Sequence, residues 1–198
     1  VFSPLELMWA LIGLVLTIGA TWLEAFVTNV PWQWSTEGVQ PYSLQVSFQV
    51  GAVLLTGCLG GKNAAALSQI GYLALGLLLF QFFGLPLFTQ GGGLGYVREP
   101  SFGYLLGFIP AGWVCGSLAF RSAPKLEGLA YSALCGLGII HGLGLVYLAI
   151  ASLGGWLNTS QGFGTLAWTY TLAPLPGHLI MVCAVAVVAF FLRRLLFY

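Results

Sequence analysis

Apolar positions along this chain come in long unbroken runs, not in the alternation of a half-buried strand or the one-sided stripe of a surface helix. Residues 7–23, 38–61, 63–97, 100–120 and 128–192 carry no charged side chain. A bilayer crossing needs about 20 mostly apolar residues, so the pattern predicts several membrane helices. Local breaks subdivide the runs. Gly84-Leu85-Pro86 ends one, Pro100 and Pro124 bracket another, and Gly154-Gly155, the polar stretch 158–162 and Pro174-Leu175-Pro176-Gly177 divide the last. Six spans result, at 5–27, 44–60, 64–83, 103–120, 126–153 and 177–196. The predicted class is an all-α integral membrane protein, with residues 1–198 forming one six-helix membrane domain. Pro110 falls inside the fourth span, where a membrane helix accommodates it with a kink.

Composition narrows the class. Of 198 residues, 59% are hydrophobic and only 6% charged, and all five acids are glutamates. A soluble domain carries about a quarter of its residues as charged side chains, which excludes a cytosolic enzyme. A net charge of +1 offers no basic surface for nucleic acid. Cys58, Cys115, Cys135 and Cys183 lie in apolar runs without CxxC spacing, and are expected to be small buried hydrophobes. The opening Val1-Phe2-Ser3-Pro4 has no basic residue, so the first run is expected to be a retained span, not a cleaved signal.

Charge placement orients the spans. With the N-terminus cytoplasmic, Lys62, Arg121, Lys125, Arg193 and Arg194 fall inside and only Arg98 outside. The positive-inside rule therefore places both termini in the cytoplasm. The inner connections are short, near 61–63 and 121–125, whereas 28–43, 89–102 and 154–176 form three longer outer loops rich in aromatic residues. Such aromatics suit an interfacial belt. Loops longer than a connection requires also suit enclosure of a ligand arriving from outside.

Polar chemistry is concentrated in few places. The run Phe88-Thr89-Gln90-Gly91-Gly92-Gly93-Leu94-Gly95-Tyr96-Val97-Arg98 leads into Gly103-Tyr104-Leu105-Leu106-Gly107-Phe108. Successive glycines let backbone approach a ligand closely, although a flexible outer loop would have the same composition. The run follows a membrane helix, not a strand, so it is no dinucleotide fingerprint. Gly57-Cys58-Leu59-Gly60-Gly61-Lys62-Asn63 is not a P-loop, since its glycines are one position too close and Asn63 replaces the hydroxyl residue. Gln45 and Gln49 are expected to share a helix face at the outer end of the second span. His141 lies mid-span among glycines. It reads either as a neutral imidazole bonded to a neighbouring helix or as an axial ligand for the metal of a tetrapyrrole. No other metal-ligand set is apparent, and no Ser–His or paired-carboxylate arrangement can be assembled, so no enzymatic activity is expected.

The Gly91–Gly95 run joined to Pro100-x-x-Gly103-Tyr104-Leu105-Leu106-Gly107-Phe108 resembles the BioY family, the biotin-binding S components of energy-coupling factor (ECF) transporters. The likeness continues through Tyr42-Ser43-Leu44-Gln45, Tyr72-Leu73-Ala74-Leu75-Gly76, Gly84-Leu85-Pro86 and Leu175-Pro176-Gly177. It implies an S-component-like bundle in a bacterial inner or thylakoid membrane. Biotin would be the transported ligand, with a transmembrane T component and two ATPase subunits as partners. It also implies a binding site drawn from Gln45, Gln90, Gly91, Gly92, Gly93, Tyr96, Arg98, Tyr104 and His178. Ala10, Gly13, Thr17 and Ala20 form a small-residue face on the first span, open either to the T component or to an internal packing partner. Where the family's sixth span opens Pro-Gly-Asp-x-x-Lys, this chain has Pro176-Gly177-His178-Leu179-Ile180-Met181. Met181 cannot hold a carboxylate; Arg98 is the outer cation able to do so, and His178 could bond a ureido group. The departure motivates a second expectation: a BioY-like subunit of a larger membrane complex that no longer transports. Its aromatic residues would contact lipid or a pigment such as chlorophyll or a carotenoid. No resident cofactor is expected under the transport reading.

Overall fold

The structure, a computed structural model, describes residues 3–28, 38–89, 91–121, 123–157 and 159–197, and the backbone alone of Gln45 and Phe197. Helix α1 (Pro4–Thr21) starts at a reciprocal cap. The Ser3 hydroxyl accepts from the Glu6 backbone at 3.2 Å while the Glu6 carboxylate accepts from the Ser3 backbone at 2.9 Å. The helix stops at Thr21, short of the predicted residue 27. Strand β1 (Glu24–Thr28) follows instead and pairs antiparallel with β2 (Pro41–Ser47), with Phe26 opposite Ser43 and Val27 opposite Tyr42. The Ser43 hydroxyl donates to Glu24 Oε1 at 2.6 Å across the pair. This hairpin corrects the all-α expectation. It also moves Gln45 from a helix face into β2, so Gln45 and Gln49 share no helix.

Helix α2 (Gln49–Phe83) covers both the second and third predicted spans, but it is not straight. Gly61 has φ 80° and ψ 179°, outside the helical region and in a conformation that favours glycine. The Gln49 amide donates to the Tyr72 hydroxyl at 2.8 Å. In a straight helix those residues would stand about 34 Å apart. The chain therefore turns back at Gly61, and arms 49–60 and 62–83 lie side by side.

A 3-10 turn (Leu94–Arg98) leads to α3 (Phe102–Ala119), which contains Pro110, and then to α4 (Leu126–Gly154). The last predicted loop is partly helical. A short α5 (Phe163–Ala167) runs through a π-helical turn (Trp168–Leu172) to α6 (Leu175–Phe197). Five stretches are long and apolar enough to cross a membrane: Pro4–Thr21, Gln49–Phe83, Phe102–Ala119, Leu126–Gly154 and Phe163–Leu196. Leu11, Val15, Phe82, Leu153, Phe191 and Leu195 are exposed on them, as expected of lipid-facing positions.

Glycines set how closely the helices meet. A Cβ added at Gly107 would stand 3.0 Å from the Ile140 Cα, and one at Gly116 would collide with the backbone of Gly61 and Lys62. Backbone cannot swing aside as a side chain can. Gly116→Val is therefore expected to destabilise the bundle by about 1–3 kcal/mol, the usual range for overpacking. The check is a lowered melting temperature of the purified protein in detergent. An unchanged value would mean that α3 and the Gly61 turn are not in contact.

Candidate functional site

Both histidines of the chain meet at one point. His141 comes from the middle of α4 and His178 from the first turns of α6, and their Nε2 and Nδ1 atoms lie 3.2 Å apart. Each is more than nine-tenths buried. They form one wall of a cavity of about 350 Å³, which is also lined by Ser47, Gln49, Thr89, Tyr96, Ser101, Tyr104, Phe108 and Tyr170. A volume of this order suits a small-molecule ligand. The lining comes from the end of β2, the first turns of α2, α3 and α6, and the connection preceding α3. These segments gather at one end of the bundle.

A second polar layer holds that end together. Tyr72, fully buried, accepts from the Gln49 amide at 2.8 Å and donates to the Leu87 carbonyl at 3.1 Å, with Thr21 Oγ1 also 3.1 Å away. One layer below, the Gln69 amide donates to Thr17 Oγ1 at 3.0 Å. An aromatic chain then leads to the cavity. Tyr72 meets Phe88 at 5.4 Å between centroids, Phe88 meets Tyr96 at 4.7 Å, and Tyr96 meets Phe102 at 6.5 Å. The Tyr96 hydroxyl lies 2.9 Å from Ser101 Oγ. Burial pushes the Tyr96 phenol above its usual range, with the Ser101 hydrogen bond opposing, so it stays protonated and can donate. Tyr104 bonds Thr171 at 2.6 Å and stacks on Tyr170 at 6.0 Å. The Tyr147 hydroxyl donates to the Val97 carbonyl and fastens the Gly-rich connection to α4.

Of the residues singled out from sequence, Tyr96, Tyr104 and His178 line this cavity. The Gly91, Gly92 and Gly93 run does not line it. The Gly93 N–H donates to the Gly76 carbonyl at 3.2 Å, and a Cβ at Gly92 would stand 2.7 Å from that same oxygen. The glycines therefore let the connection lie flat on α2, instead of presenting peptide groups to a ligand. Arg98 is exposed at the end of the 3-10 turn and is not part of the wall. Gln90 lies outside the described residues, as does the Gln45 side chain. Ala10, Gly13, Thr17 and Ala20 are buried within the chain, with Gly13 packed against Thr56 and Ser68 of α2. That burial suits the internal packing alternative for them. Met181 is also buried, its sulfur packed against Gly51. His141, read from sequence apart from the binding set, belongs to the wall and bonds a neighbouring helix as one of its two readings required. Thr89 stands inside the glycine-rich run and Ser101 in the Pro100-x-x-Gly103 stretch, but no signal marked Tyr170 as a lining residue. Among the described residues, no three His, Cys, Asp or Glu side chains converge as a metal site.

The sequence matches the BioY family over residues 6–197. The chain belongs to the BioY family. It is 41% identical over 125 residues to the probable biotin transporter BioY of Lysinibacillus sphaericus, a match that covers 62% of this chain and 58% of that relative. An uncharacterized 21.2 kDa protein from the psbX-ycf33 intergenic region of Cyanophora paradoxa is 29% identical over 192 residues, covering 96% and 95% of the two chains. The fold resembles the crystal structure of the S-component for biotin from an ECF-type ABC transporter. The TM-score is 0.67 at 21% identity, over 96% of this chain and 90% of that one. Within the BioY fold, the His141–His178 pair therefore sits in a chain-internal cavity at the end where α2, α3 and α6 begin.

Proposed function

We propose that this BioY-family chain is the substrate-binding membrane subunit of an ECF-type importer and that it captures biotin in the His141–His178 cavity from the outer face. One observation carries the reading: a cavity of ligand size, lined by uncharged donors, acceptors and aromatic rings, in a chain of this family. Five of the six basic residues lie at the opposite end of the bundle. Lys62 and Arg121 share a cleft there with Glu6 and Gly61, and Arg193 donates to the carbonyl of Ala119, the last residue of α3. By the positive-inside rule that end is cytoplasmic. The two arms of α2 then count as separate crossings, giving six with both termini inside and the cavity opening outward. A T component and two ATPase subunits complete the importer. The membrane is a bacterial inner or a thylakoid membrane.

Titration of biotin into the purified chain in lipid nanodiscs tests the ligand, with saturable one-to-one binding expected. Absence of binding would overturn the assignment. It would favour the second reading, a non-transporting subunit of a larger membrane complex, which the full-length likeness to the Cyanophora protein also suits. Orientation has its own test in a cysteine-free background. Cysteine at the exposed Leu94 is expected to react with a membrane-impermeant maleimide added to intact cells. Cysteine at Lys125 should react only after permeabilisation. The reverse pattern would invert the assignment.

A further inference from the structure

All six basic side chains of this protein are placed, and none reaches the cavity wall. Arg193 Nη1 bonds the Ala119 carbonyl at 2.7 Å with its guanidinium 4.2 Å over Phe120, and Arg194 lies 4.3 Å over Phe190. Lys62 sits 5.6 Å over Trp113, Arg121 shares its cleft, and Lys125 immediately precedes α4. Arg98, at the end of the 3-10 turn, is exposed and does not line the cavity. No described glutamate lines the cavity either. An ionised carboxylate in such a wall would lack the positive partner that its desolvation demands.

What the wall offers is amphoteric and neutral. The facing nitrogens of His141 and His178 can hold one hydrogen between them, so one donates and the other accepts. The choice of tautomer reverses what His141 Nδ1 presents. That atom is buried and has no hydrogen-bond partner among the described residues. If His141 donates through Nε2, its Nδ1 is an acceptor; if it accepts, its Nδ1 carries a hydrogen and donates. Gln49, Tyr96 and Tyr104 add further uncharged donors and acceptors nearby. A head group with adjacent N–H and C=O functions, such as a cyclic urea or amide, satisfies either tautomer. A carboxylate satisfies only the donor form.

We infer that this cavity reads only the uncharged, urea-bearing part of its ligand, so that carboxyl-blocked derivatives enter it as readily as the free acid. The inference rests on the reading of the cavity as a biotin site. It extends that reading to a substrate class: biotin together with its neutral amides and esters.

The test is equilibrium titration of biotin, biotinamide and biotin methyl ester into the full chain in nanodiscs at neutral pH. The three affinities are expected to agree within about fivefold, below 1 kcal/mol. The Arg98→Gln variant should leave their ratio unchanged. A preference of about fivefold or more for the free acid over both blocked forms would overturn the inference, whichever group supplied the positive charge. A ratio that changes in Arg98→Gln would overturn it too and identify Arg98 as the carboxylate partner. If none of the three binds, the biotin reading itself falls, and that result is distinct from a preference among them.

Discussion

His178→Leu is expected to weaken biotin binding about a hundredfold, equivalent to about 2.7 kcal/mol. Leucine fills similar space but removes the hydrogen-bond partner of His141 Nε2. His141 Nδ1 already has no partner among the described residues, so both imidazole nitrogens would then be left unsatisfied. Each unmade buried hydrogen bond costs about 1–3 kcal/mol, and the ligand's own polar atoms lose a partner as well. His178→Asn separates chemistry from packing. Its side-chain amide occupies nearly the position of Nδ1 and can bond His141 again, so most of the affinity should return. The readout is the biotin dissociation constant for the three proteins, with melting temperatures taken in parallel. Unaltered affinity in the leucine variant would mean that biotin does not occupy this cavity.

Tyr72→Phe should produce the largest loss of stability among single-atom changes. One hydroxyl serves the Gln49 amide, the Leu87 carbonyl and the neighbourhood of Thr21, joining α1, both arms of α2 and the connection that follows. Its removal leaves the buried Gln49 donor and the part-buried Leu87 acceptor without that partner. Two unsatisfied groups at about 1–3 kcal/mol each give an expected loss of about 2–6 kcal/mol. Water cannot readily replace the lost oxygen where helices and lipid exclude it. Thermal unfolding in detergent measures the effect. A loss below about 1 kcal/mol would show that the hydroxyl is not shared as described.

Much of the architecture was legible in the hydropathy because burial and lipid exposure both demand apolar residues. The breaks at Gly84-Leu85-Pro86 and Gly154-Gly155 fall where helices end, and the Gly61 turn falls at the predicted 61–63 connection. The β hairpin was not legible. Residues 24–27 and 44–47 are short and mostly apolar, and periodicity cannot tell such a stretch from the end of a membrane helix. Tyr96, Tyr104 and His178 were found through the resemblance, since their neighbours carry recognisable spacing. The pairing of His141 with His178 was hidden, because 37 residues and two helices separate them in sequence. The glycine run lies outside the cavity lining for a physical reason. Glycine permits close backbone approach to any surface, and here that surface is α2 at Gly76, not a ligand.

The turn at Gly61 has a consequence for the surrounding lipid. The arm 49–60 rises only about 18 Å, well short of a hydrocarbon core about 30 Å thick. The arm 62–83 rises about 33 Å and matches it. In the proposed orientation, Gln49 at the far end of the short arm would lie within the hydrocarbon, with the part of the cavity that it lines. On that side the bilayer must thin, or the strand pair must dip toward it, to cover the mismatch. In the proposed orientation, a ligand seated beside Gln49 would already have passed part of the permeability barrier, with about 18 Å of helix between it and the inner turn at Gly61.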